Sequence, residues 1–75
     1  MKRMKTLDYW ESLSKAKKTF PESTFVTEEF DDGKRLAVSV STGEVRHAWE
    51  LTKWKPNQAV TEFPKAIKEW LVQFS

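Results

Sequence analysis

The sequence contains no cysteine, so neither a disulfide framework nor a thiolate metal site can supplement its core. It has one histidine, His47, and a zinc site would therefore rest almost wholly on carboxylates, which is unusual. Its two glycines, Gly33 and Gly43, both fall in hairpin-turn positions, which leaves none for a phosphate-cradling glycine loop. No apolar run approaches the roughly 18 residues needed to cross a bilayer. The basic start, Met1-Lys2-Arg3-Met4-Lys5, is not followed by the apolar stretch that a secretion signal requires. Residues 1–7 read as a short disordered basic arm on a cytoplasmic protein, with no membrane partner and no small-molecule cofactor expected.

What is present is aromatic. Four Trp, five Phe and one Tyr stand among 75 residues, and each ring can bury roughly 150–250 Å². A chain this short buries only about 60–65% of the surface that its unfolded form exposes, so these rings must carry the core. Residues 8–75 are expected to form one domain, because no linker, repeat or low-complexity stretch divides them.

The net charge of +2 conceals blocks of opposite sign. Residues 1–18 carry net +4, residues 19–33 net −5, residues 34–55 net +3, and residues 56–75 balance at zero. Such blocks can become faces on folding, although a solvated surface is the commoner outcome.

Helical spacing of Tyr9, Leu13, Ala16 and Phe20 predicts a first helix over residues 8–19, ended by Pro21. Asp8 and Glu11 have the spacing of a capping box, and Thr6 is an alternative cap. Three strands are expected next. Ser23 to Phe30 is rich in β-branched and aromatic residues, and Asp31-Asp32-Gly33 is a hairpin turn. Lys34 to Ser41 and Glu44 to Trp54 each alternate, joined by a turn at Thr42-Gly43. The last strand, at about eleven residues, exceeds its partner. Pro64 is expected to open a second helix reaching Phe74, buried through Ile67, Leu71 and Phe74 with Trp70 beside them, while residues 57–63 add at most a separate turn.

The predicted fold is α+β in the order α-β-β-β-α, a three-stranded antiparallel meander with two helices packed on one face. Leu36, Val38, Val40, Val45, Trp49 and Leu51 are the expected core face. The opposite face would be open, carrying Arg35 and Arg46 with Trp54 at its end.

A nucleophile held by a base has only His47 to draw on, and a lone histidine on an apolar face is usually a rim residue. Glu28, Glu29, Asp31 and Asp32 cluster where a turn requires polar residues anyway, so the chain is not expected to be an enzyme. Single-strand nucleic-acid binders combine basic grooves with aromatic platforms. Arg35, Arg46, Lys53 and Lys55, with Trp54 as the stacking ring, are the candidate nucleic-acid site. The element order also occurs in double-stranded-RNA-binding domains, which set several lysines at the start of the second helix. The matching stretch here, Lys55-Pro56-Asn57-Gln58-Ala59, has one lysine, and topology does not carry function. The alternative is a regulator or inhibitor binding a protein partner or a second copy of itself. An exposed Trp beside Arg suits a hot spot, and of the two edges a three-stranded sheet leaves, the outer edge of the first strand is the one expected to accept another strand.

Overall fold

The two hairpins set the sheet. In a computed structural model describing residues 8–74, Asp31, Asp32 and Gly33 all take positive φ, at 58°, 60° and 81°. Asp tolerates the left-handed region because its short polar side chain can bond locally. Gly43 has φ 60° at the first central position of a two-residue turn, the place where a type II′ hairpin needs glycine. These turns join β1 (Thr24–Phe30), β2 (Arg35–Thr42) and β3 (Val45–Glu50) into an antiparallel sheet of order β1-β2-β3.

Helices α1 (Trp10–Thr19) and α2 (Pro56–Val72) cover one face of it, giving the α-β-β-β-α order. Both begin at the same end. The Tyr9 hydroxyl donates to the Trp54 carbonyl (2.6 Å) before α2 starts. At the other end, Thr19, Phe20 and Leu71 line a shared hollow with Thr42. Tyr9, Leu13 and Ala16 meet Leu36, Val38, Val40, Leu51, Ala59, Phe63, Ile67 and Trp70 in a single core. Among the described residues no helix is long and apolar enough to cross a membrane.

Four expectations are corrected. The first helix begins at Trp10 with Tyr9, not Asp8, in the N-cap position, and the Tyr9 side chain makes no cap bond; Thr6 and the basic arm lie outside the described residues. The third strand stops at Glu50 and passes into a 3-10 turn over Leu51–Lys53. The second helix starts at Pro56 and runs through Pro64 without a break. Finally, its buried stripe is Ala59, Phe63, Ile67 and Trp70, whereas Phe74 is 57% exposed.

Proline inside a helix costs about 3 kcal/mol, from a lost hydrogen bond and a clash with the preceding turn. Phe63 and Ile67 are fully buried, and burying each such side chain contributes roughly 1.5–3 kcal/mol. Tertiary packing therefore outweighs the local break. Pro56 takes the first helical position, where a missing N–H costs nothing, and Lys55 N–H is capped by Gln58 Oε1 (3.1 Å).

Phe63 is the centre of this packing. Its ring meets Phe25 of β1 (6.4 Å) and Trp49 of β3 (5.9 Å), both edge to face. Phe63→Ala should lower stability by about 3–5 kcal/mol, a large share of the roughly 5–15 kcal/mol that a small domain holds. Urea unfolding followed by tryptophan fluorescence measures it. A loss under about 1 kcal/mol would show that Phe63 does not hold helix and sheet together.

Candidate binding site

Register decides what the open face offers. Pairing places Thr24, Ser41 and Arg46 in one row, then Val26, Ser39 and Ala48, then Glu28, Ala37 and Glu50, with Phe30 and Arg35 last. Arg35 and Arg46 thus lie at opposite ends, six residues of strand or roughly 20 Å apart. Two carboxylates, Glu28 and Glu50, share the face with them, and its formal charge balances.

Arg35 is also engaged. Its Nε and Nη2 donate to Glu50 (3.1 and 2.6 Å), and its guanidinium lies 4.5 Å from the centre of the Phe30 ring. The Glu50 carboxyl is held down at about 2, first by the Arg35 hydrogen bond and next by the Thr52 hydroxyl, which donates to it at 2.8 Å. The Thr52 oxygen in turn accepts the Leu36 N–H (3.3 Å), taking the place of a ladder partner where β3 ends.

Ending the strand at Glu50 removes Lys53, Trp54 and Lys55 from the sheet. Trp54 is half-buried and packs against the core, its N–H donating to Leu51 C=O (3.0 Å). Lys53 and Lys55 are exposed near the start of α2. The five residues expected to form one basic and aromatic face are therefore spread over two ends of the domain.

The structure instead gathers aromatics at β3. His47 and Trp49 lie opposite the buried Val40 and Val38, so both are on the helix-covered side. Trp49 meets Trp70 of α2 at 5.5 Å and 81°. The His47 ring, exposed at the rim, contacts Trp49 (4.5 Å) and Trp70 (5.8 Å), and Phe74 closes on Trp70 at 5.7 Å. Edge-to-face pairs of this kind add about 0.5–1.5 kcal/mol each beyond area burial.

Between strand and helix runs a shallow groove of about 380 Å³, lined by His47, Trp49, Ala66, Glu69, Trp70 and Gln73. The helical members follow i, i+3, i+4 and i+7 spacing, one face of α2. β3 pairs with β2 on its inner side alone, since it is an end strand of the sheet. The alternation of β3 indicated that His47 and Trp49 share a face, and the helix expected from Pro64 already held Ala66, Glu69, Trp70 and Gln73; that this helix face comes to lie beside β3 is a tertiary arrangement no local pattern carries.

Trp10 is a second feature that side-chain pattern left on the flank of the first helix. It is 63% exposed and shares an outward surface of α1 with Glu11, Ser14, Lys15, Lys18 and Thr19. Among the described residues no three His, Asp or Glu side chains come together to hold a metal ion. No family model, no curated protein and no solved structure matches the chain.

The Glu50 network has a sign that can be measured. Because its folded-state carboxyl lies below the ordinary value of 4.5, the stabilisation is present above that value and disappears as pH falls through about 2. Wild type should exceed Glu50→Gln in urea midpoint at pH 7, and the gap should shrink between pH 5 and pH 2. A gap that stays constant over that range would show the carboxylate is not held by Arg35.

Proposed function

We propose that this chain is a non-catalytic binding module that takes up an extended segment of a protein partner along the free edge of β3. The observation that carries this reading is the groove: an unpaired strand edge running beside a helix face, with aromatic rings between them. Extended peptides bind such places by adding a strand, main-chain hydrogen bonds supplying affinity and alternate side chains supplying specificity.

The hairpin sets which groups are available. Gly43 and Glu44 form a two-residue turn closed by Thr42 and Val45. The closing pair of such a turn is hydrogen-bonded, and alternation then directs Val45, His47 and Trp49 toward β2. Arg46 and Ala48 direct their backbone N–H and C=O outward, where an added strand would meet them, while the Glu50 C=O is taken up as N-cap of the 3-10 turn. The side chains of His47 and Trp49 stay on the helix side and form the groove floor.

A second reading, nucleic-acid binding, is favoured by one observation, the exposed Trp10 beside Lys15 and Lys18. Here phosphates would be met by the lysines of α1, with Trp10 in place of Trp54 as the stacking ring. The balanced open face and the engaged Arg35 argue for the protein partner first.

Selection of random octapeptides displayed on phage tests the leading reading. Binders should emerge against the whole chain, and Ala48→Pro should weaken them about tenfold or more. That proline removes an outward N–H while leaving the β2 ladder intact, and circular dichroism checks the fold. No binders, or binders indifferent to Ala48→Pro, would refute strand addition at β3.

The second reading has its own test. Short oligonucleotides should quench tryptophan fluorescence at low salt, the effect fading as salt rises, and Trp10→Ala should cost about 1–3 kcal/mol of binding. Absence of quenching at low salt removes it.

A further inference from the structure

Resting on that reading of the groove, we infer that the partner segment presents an arginine to it, seated on Trp49 beside the buried Trp70 and paired with Glu69. A strand added to β3 lies about 4.8 Å outside it, and its alternate side chains project to the helix side. There they enter the space bounded by His47 and Trp49 below and by Glu69, Trp70 and Gln73 alongside. Apart from His47, the one titratable side chain lining that space is a carboxylate. The two indole rings stand nearly perpendicular; Trp70 is only 9% exposed, so the π surface at the foot of the groove is chiefly that of the half-buried Trp49. Aromatic faces attract cations, and guanidinium does so while its planar fork still reaches a carboxylate. Gln73 supplies an amide oxygen within the same lining.

The domain already contains this arrangement on its opposite face. Arg35 lies over Phe30 while its fork is bonded to Glu50. The groove has the ring and the carboxylate without a cation of its own among its lining residues.

A second copy does not fit this chemistry. Two chains paired through β3 would meet each groove with the other's His47 and Trp49. Arg46, the basic residue of β3, lies on the open face in the row of Thr24 and Ser41. The charge of the groove asks for a partner that β3 itself cannot supply.

The octapeptide selection, repeated with Glu69→Lys as target, decides the point. Glu69 is exposed, so the variant should fold, and circular dichroism confirms it. Against wild type, the binders should share an arginine at one fixed position; replacing it by glutamine in a synthetic binder should weaken affinity about tenfold. Against Glu69→Lys, the arginine preference should vanish while strand-forming binders are still recovered. Binders with no shared arginine, or the same arginine preference against Glu69→Lys, overturn this inference and leave strand addition standing. Failure to recover any binder from either target overturns strand addition itself. Concentration-dependent dimerisation through β3, read by light scattering and abolished by Ala48→Pro, would replace the arginine-bearing partner with a second copy.

Discussion

The way β3 ends sets the path of the whole C-terminal third of the chain. At Glu50 the ladder is replaced by side chains: Leu36 N–H turns to the Thr52 hydroxyl, Thr52 to the Glu50 carboxylate, and Glu50 to Arg35. The backbone can then leave the sheet without stranding a polar group. Leu51 drops into the core, Trp54 folds against it, and Tyr9 ties that corner to the first helix. With the turn complete by Lys53, α2 begins at Pro56 and extends 17 residues, about 26 Å. β3 has six residues, about 20 Å. The helix outruns the strand, and its last turns bring Trp70, Gln73 and Phe74 alongside the free edge. A strand continued to Trp54 would leave room for a shorter helix and no groove of this form.

The sheet was legible because its signals are local and agree. Alternation in Leu36, Val38 and Val40, and turn residues at Asp31 to Gly33 and at Gly43, all favour the same register. The two misread elements share a cause. Pro64 carries a strong local rule against helix, yet it sits beside Phe63, whose burial against Phe25 and Trp49 depends on strands far away in the sequence. Alternation from Glu44 to Trp54 likewise continues past Glu50, but the hydrogen bonds that stop the strand come from Arg35 and Leu36. Neither contact is visible in a window of residues. The expected site is dispersed with the strand: once Trp54 leaves the sheet, it no longer shares a face with Arg35 and Arg46.

Charge gave a similar lesson at the level of faces. Residues 34–55 carry net +3, but pairing brings Glu28 from the acidic block onto the same face and sets Glu50 on Arg35. A block of charge along the chain becomes a patch only when its neighbours across the sheet do not answer it. In the first helix the answer is partial: Lys15 and Lys18 keep an outward surface beside Trp10 and share it with one carboxylate, Glu11.

The aromatic rings at β3 serve the core and the groove together. Phe63, Trp49 and Trp70 form a continuous series of edge-to-face contacts, beginning fully buried and ending at His47 and Phe74 at the surface. The groove floor is therefore held by the packing that joins α2 to the sheet. A ligand meeting it loses little entropy in ordering the protein, since these rings are already fixed. The same sharing limits what can be changed: altering Trp70 or Trp49 would disturb folding and binding at once. Glu69, Gln73 and the outward backbone of Ala48 stand clear of the core, so chemistry on the rim can be varied while the floor persists. In so small a domain, a rigid floor with an adjustable rim lets the scarce core packing also present a surface for recognition.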